Sequence, residues 1–206
     1  MIKILGRANS VNVQKVMWCV AELGLAVERS DLGGAFGGND QPDYLAQNPN
    51  GRIPTLVDGD HVQWESNAIV RYLCDRYGSA PWQPDTPQRR GLAGQWMDWY
   101  ATTMHPPMTT LFWQLVRTPE DKRDAAAIST AHAECSRLWA ILDRHLGDRA
   151  FILGDEPSMA DIPLGCSAYR WHCMDFERPD LPSLKAWWQR LSDRTAYREH
   201  VMLPIT

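Results

Sequence analysis

The segment 48–78 constrains the fold more tightly than any other part of the chain. Asn48-Pro49-Asn50-Gly51 is dense turn chemistry. It is followed by Ile53-Pro54-Thr55-Leu56-Val57, then Asp58-Gly59, then His61-Val62-Gln63-Trp64. Asp-Gly between two apolar runs marks a hairpin, because the tight turn needs residues that tolerate positive φ. A proline cannot donate to a β-ladder, so Pro54 belongs at the start of its strand. Ser66 then precedes Ile69, Val70, Leu73 and Tyr77 at helical spacing, and Gly78 is a stop. The segment therefore predicts a hairpin followed by a helix with Ser66 as its N-cap.

Ahead of it, 2–5 reads as a strand and 6–12 as a polar turn. Val13, Val16, Met17, Val20 and Leu23 fall on one helical face, with Gly24 as the stop. A second strand is expected over 27–32, then a glycine-rich loop over 33–38. Strand, helix, strand implies a parallel pair. Pro81, Pro84 and Pro87 mark a linker over 79–88. The remainder reads as helical. Ile128, Ala131, Cys135, Leu138 and Leu142 give the inner face of a long helix ending near Gly147, and Leu184, Trp187, Trp188 and Leu191 mark a late one. Ser158-Met159-Ala160-Asp161 has the form of a capping box. His105-Pro106-Pro107 interrupts a helical pattern, as a kink or as a loop. The division expected is 1–78, linker 79–88, and an all-helical 89–206.

Net charge is −4, which leaves no basic footprint for nucleic acid. The five cysteines are odd in number and widely spaced, with no CxxC, and the six histidines form no ligand pair. Neither a disulfide framework nor a metal site is expected, and a reducing compartment is. The apolar N-terminal stretch is too short for a signal sequence, and no run approaches a membrane span. A soluble, cytoplasmic protein is the expectation.

The motifs NPNGRIPTLVDGD and WESNAIVRYL, after a first βα turn, resemble the glutathione-binding domain of cytosolic glutathione transferases. GDEPSMADIPLG resembles the family's second signature, and LPSLKAWWQRLSDRTAYREHV is similar to a bacterial branch with Ser/Asn-type sites. The resemblance spans nearly the whole chain. It implies an α/β thioredoxin-like N-terminal domain followed by an all-α C-terminal domain. It also implies glutathione as co-substrate, a homodimer, and conjugation of the glutathione thiolate to hydrophobic electrophiles. Reduction of disulfides or peroxides, dehalogenation, or ligand binding without turnover are the alternatives.

Such an enzyme must hold a thiol as its thiolate, the nucleophilic form. Depressing a thiol pKa by two units needs about 2.7 kcal/mol. A hydrogen bond to a charged group supplies about 1.5–3 kcal/mol. A helix N-terminus adds to it. Donors stand at that position: Ser10 is the first choice and Asn12 the second, since Asn12-Val13-Gln14-Lys15-Val16 looks like branches that use an Asn amide. No Tyr lies near the turn, and Cys19 lies deep in the helix.

The resemblance makes Pro54 the family's cis-proline and gives the backbone of Ile53 the pairing with the cysteinyl unit. Glu65 and Ser66 fall to the γ-glutamyl end, where helix N–H groups would hold its carboxylate. Arg52 is the candidate for the glycine carboxylate, with Lys15 and Arg7 as lesser ones. Tyr100, Met104, His105, Met108, Phe112 and Trp113 map to the second-substrate pocket, and Asp98 to an acid that reaches the partner subunit's glutathione.

Overall fold

A computed structural model describes residues 1–206. Its first part is β1 (Ile2–Leu5), α1 (Val11–Glu22), β2 (Val27–Ser30), α2 (Pro42–Leu45), β3 (Thr55–Asp58), β4 (His61–Trp64) and α3 (Ser66–Tyr77). The four strands lie in the order β2-β1-β3-β4. β1 is parallel to β2 and antiparallel to β3, and β3 and β4 form the hairpin that Asp58-Gly59 encodes. Leu5 pairs with both Ser30 and Thr55. That register sets the turn into α1 beside the start of β3. The arrangement is the thioredoxin-like half of the fold implied by the sequence, and the rest is helical.

Several boundaries differ from the sequence reading for local reasons. α1 starts at Val11, so Asn12 lies inside its first turn, and the N-cap position is Ser10. β2 stops at Ser30, where the Gly6 N–H donates to the Ser30 carbonyl at 2.9 Å as the chain leaves the sheet. A short 3₁₀ turn, Gly34–Phe36, occupies the glycine-rich loop. β3 begins at Thr55, since Pro54 has no N–H to give, and the Ile53–Pro54 bond is cis. Ser66 is the first helical residue of α3, and Glu65 takes the cap position at φ 71°.

The helical part comprises α4 (Pro87–Trp99), α5 (His105–Phe112), α6 (Ala125–Leu146), α7 (Asp161–Cys173), α8 (Pro182–Ser192) and α9 (Thr195–His200). α4 reaches back to Pro87 because the Thr86 hydroxyl accepts from the Arg89 N–H at 3.2 Å, and proline costs nothing at a first helical position. His105-Pro106-Pro107 neither breaks the helix nor forms a loop. A widened turn over Tyr100–Met104 lets the His105 N–H donate to the Tyr100 carbonyl, and the prolines enter where no N–H is needed. A second widened turn, Trp113–Arg117, ends this rod. No helix is long and apolar enough to cross a membrane. All five cysteines are free.

The capping box forms. The Ser158 N–H donates to Asp161 Oδ2 at 2.9 Å, and the Ser158 hydroxyl accepts from the Ala160 N–H at 3.3 Å. Asp161 also accepts from the Ile152 N–H and from Trp187 Nε1, so one buried carboxylate ties α7 to α8 and to the preceding loop.

The two parts share one core of 43 buried residues, so their apolar faces are not separately closed. α1 is the element common to both: it packs on α3 within the first part and on α7 and α9 of the second. Trp18 is fully buried on that outer face, edge-on to Tyr197, whose hydroxyl donates to the Gly165 carbonyl at 2.8 Å. Arg194 of the second part grips Glu22 with two bonds of 2.6 Å. Gly165 is where the backbone of α7 approaches most tightly: a Cβ there would stand 2.8 Å from both Leu191 Cδ1 and Trp18 Cζ3. Gly165→Ala should therefore destabilise the protein by about 1–3 kcal/mol, as overpacking does. A lower denaturation midpoint in urea with an unchanged slope would show it.

Candidate functional site

A cavity of about 400 Å³ opens between the N-termini of α1 and α3, the 48–54 segment and the α4–α5 rod. Of the residues expected from sequence, it gathers Asn12, Arg52, Ile53, Pro54, Glu65, Ser66, Tyr100 and His105, with Asp98 and Lys15. Ser10, Met104, Met108, Phe112 and Trp113 do not line it. Met104 and Met108 are buried in the core, Phe112 lies beneath the Arg170 guanidinium, 4.0 Å from it, and Trp113 is 58% exposed. The helical spacing of Met104, Met108 and Phe112 reflects packing of the rod, which no sequence period separates from a pocket lining.

The 48–55 segment is held by a polar cluster. The Tyr44 hydroxyl and Asn48 Nδ2 both donate to the Arg52 carbonyl, at 2.6 and 2.7 Å, and Asn48 also reaches the Thr55 hydroxyl at 3.1 Å. This fixes Ile53, whose own N–H and C=O have no partner within the chain. Ile53 packs so closely on the turn before α1 that a Cβ on Gly6 would sit 3.2 Å from its Cβ and 2.6 Å from Val13 Cγ2. Only glycine fits there.

At the centre, Asn12 Oδ1 accepts from Lys15 Nζ at 2.9 Å and from the Ser66 hydroxyl at 3.3 Å, while Lys15 Nζ lies 3.4 Å from Ser66 Oγ. The ammonium also stands over the Tyr100 ring, 4.5 Å from its centroid. Lys15 is only 3% exposed. Burial pulls its pKa down to about 8, with Arg170 acting in the same direction and Glu65 against it. Asn12 Nδ2 remains unbonded. The Ser10 hydroxyl makes no capping bond.

The first-turn N–H groups of α3, on Ser66, Asn67 and Ala68, have no backbone partner, and all three residues line the cavity. Glu65, exposed beside them, is the one non-glycine residue at positive φ. Such a conformation costs of order 1–3 kcal/mol and persists where the surroundings over-determine it.

On the far wall, Tyr100 Oη and His105 Nδ1 are 3.1 Å apart. Burial, then Lys15 and Arg170, pull the His105 pKa down to about 4, so the ring is neutral at pH 7. Asp98 pairs with Arg71 of its own chain. Asn48, Asn50, Asn67 and Arg71 line the cavity without having been singled out from sequence. Arg71 had a signal: it lies four residues after Asn67 on α3, on the same face. The asparagines had none, since Asn48-Pro49-Asn50-Gly51 reads equally well as a turn. No cluster of three or more His, Cys, Asp or Glu side chains is placed to hold a metal ion.

Residues 2–75 match the glutathione S-transferase N-terminal domain, and residues 125–190 match the C-terminal domain. The chain is 41% identical to glutathione S-transferase GstB of Escherichia coli over 208 residues, covering 100% of both chains. It is 32% identical to glutathione S-transferase 3 of Zea mays, covering 97% of this chain and 93% of that protein. The crystal structure of a theta class glutathione S-transferase from Xanthomonas axonopodis pv. citri, with glutathione bound, superposes with a TM-score of 0.96 at 48% identity, covering 100% of this chain and 99% of that one. With both halves matched in chain order and full-length relatives above 40% identity, the chain belongs to the glutathione S-transferase family.

Proposed function

We propose that the chain is a transferase that conjugates the glutathione thiolate to hydrophobic electrophiles. The observation that carries this is the cavity itself, where the N-termini of α1 and α3 converge around Asn12, Lys15 and Ser66. Glutathione is a tripeptide with two carboxylates, an ammonium and a thiol, and the cavity offers complements to each. The open N–H groups of α3 and the Ser66 hydroxyl suit the γ-glutamyl carboxylate. Glu65 suits the ammonium. The unpaired backbone of Ile53 suits strand-like pairing with the cysteinyl unit. Arg52, exposed at the rim, suits the glycine carboxylate.

The thiol would then meet the start of α1. Asn12 has its oxygen engaged by Lys15 and Ser66, which leaves Nδ2 as the donor for a thiolate. Ser10, the N-cap, is the second donor of the same helix end. The stabilised sulfur attacks the electrophilic carbon with its lone pair, and the leaving group departs with the bonding pair. The cysteines do not line the cavity, and burial pushes the Cys166 thiol up to about 12. That disfavours thiol exchange through a protein cysteine, whereas attack of the glutathione thiolate itself on a disulfide needs none.

Following thiolate absorbance against pH with bound glutathione tests this assignment. Asn12→Ala should raise the thiol pKa by about one to two units, the worth of one hydrogen bond to a charged group. Ser10→Ala should raise it less. If neither moves it, the helix N–H groups alone hold the anion. No glutathione binding in the parent protein would overturn the transferase reading.

Lys15 makes the site pH-dependent. Its pKa in the fold, about 8, lies below the ordinary lysine value. Between about pH 8 and 10.4 the unfolded chain binds the extra proton, so this residue's contribution to stability rises with pH across that window. A bound anion favours the charged form and reverses the preference. The affinity for S-methylglutathione, which has no thiol, should fall as pH climbs through about 8. Calorimetric titration should find a shallower fall in Lys15→Met.

The homodimer and cytoplasmic location implied by the family belong to this proposal. Val62 and Trp64 on β4 and Leu92 on α4 are exposed apolar side chains that a second copy would cover. Sedimentation should give twice the chain mass at micromolar concentration, and Leu92→Glu should weaken the association. A monomeric parent would end both the dimer and any role of Asp98 across it.

A further inference from the structure

Beyond the cavity, where the turn before α1 meets α7 and the end of the α4–α5 rod, three guanidinium groups converge without an acid. Arg7 lies in the turn before α1, Arg117 at the end of the α4–α5 rod, and Arg170 on α7. None takes part in any of the six ion pairs of the chain. Arg170 and Arg117 both stand over the ring of Phe112, at 4.0 and 5.5 Å, and Arg117 also over Trp113 at 6.0 Å. Arg7 is held by Asn9, whose side-chain oxygen accepts from it at 2.6 Å and whose backbone carbonyl accepts from Arg170 at 3.3 Å. The Nε of Arg7 is buried and has no hydrogen-bond partner. Gly34 crosses so close to it that a Cβ there would stand 2.7 Å from that nitrogen.

Burial pulls Arg170 down to about 10, with Tyr100 and Cys166 acting against the fall and Arg7 and Arg117 with it, and Arg7 is lowered by burial and by Arg117. The cluster stands beside the cavity without lining it: Arg170 holds the carbonyl of Asn9, the residue before the N-cap of α1, and Asn12 in the first turn of that helix lines the cavity. Three cations gathered without a counter-charge are unfavourable in the free protein, and an anion placed among them relieves the repulsion. Guanidinium groups are suited to carboxylates, which they bind bidentately. Trp113, 58% exposed, supplies an aromatic surface at the same place.

We propose that the second substrate is an apolar electrophile bearing a carboxylate, bound with its anionic group among Arg7, Arg117 and Arg170 and its apolar body against Trp113. This rests on the transferase reading above and narrows its substrate class. The carboxylates of glutathione do not account for the cluster, since their complements lie at α3 and Arg52. In the reaction the glutathione sulfur bonds to the carbon bearing the leaving group, for example chloride, which departs with the electron pair. The carboxylate is unchanged.

Two electrophiles that differ only in charge test it: 4-chloro-3,5-dinitrobenzoate and 4-chloro-3,5-dinitrobenzamide, each rate divided by its uncatalysed rate with glutathione. The parent protein should favour the benzoate in kcat/KM by about tenfold or more, the worth of a charge-assisted bond. Arg117→Gln, at an exposed position, and Arg170→Gln should each collapse that ratio. A parent ratio near one, or a ratio unmoved by both substitutions, overturns the proposal. So does an equal loss on both electrophiles together with a raised thiol pKa, which would assign the arginines to the thiolate. Glutathione binding is measured separately, so failure of the transferase reading is recognised on its own. In that event the binding of 3,5-dinitrobenzoate against 3,5-dinitrobenzamide, followed by tryptophan fluorescence in parent and Arg117→Gln, still decides for or against the anion site.

Discussion

A lysine ammonium with almost no access to water sits where α1, α3 and the helical rod meet. Lys15 reaches the Asn12 side chain, the Ser66 hydroxyl and the face of Tyr100. Burying a charge is costly unless hydrogen bonds and nearby negative density replace its hydration. Here the replacement comes from three different elements, and meeting it draws them to one point. The two helix N-termini are thereby aimed into a common space, and the Asn12 amide is turned with its oxygen inward. The ammonium is thus a constraint on the architecture as well as a source of positive potential.

How far the sequence foretells this depends on the range of each interaction. The hairpin, the stop at Gly78 and the capping box at Ser158 are local, since a few adjacent residues carry both the conformation and its cause. They formed where the residues indicated. The meeting of Asn12, Lys15 and Ser66 joins positions more than fifty residues apart, and no spacing encodes it; from sequence Lys15 is only a lesser candidate for the glycine carboxylate. Met104 and Met108 show the opposite failure. Their helical period is real, but a period tells which face is apolar and not whether protein or ligand covers it. At His105-Pro106-Pro107 the loop alternative fails for a third reason. A proline pair reads as a breaker only if the helix keeps its ordinary bonding, and the widened turn ahead of it removes the need for the missing N–H groups.

The site is divided by chemistry along α1. Toward α3 lie groups that suit a zwitterionic peptide: an acid, open N–H groups and an unpaired stretch of backbone. Toward α5 and α7 lie aromatic rings and arginines. Asn12 and Lys15, near the boundary, belong to both sides. Displacements of α1 would therefore disturb the two halves of the site together, which makes its outer packing around Trp18 a matter of function as well as stability.

The closeness of Gly165 to Trp18 has an evolutionary consequence. The two parts of the chain look like exchangeable modules, one for the invariant thiol and one for a changeable partner, and recombination between relatives would be a quick route to new substrate ranges. The seam between them is not neutral ground. A helical module from another lineage would have to bring a residue without a side chain at that crossing, a tyrosine positioned like Tyr197 and an arginine for Glu22. Diversification is thereby steered away from swapping whole modules and toward point changes on the rod, where Phe112, Trp113 and Arg117 can vary without touching the seam.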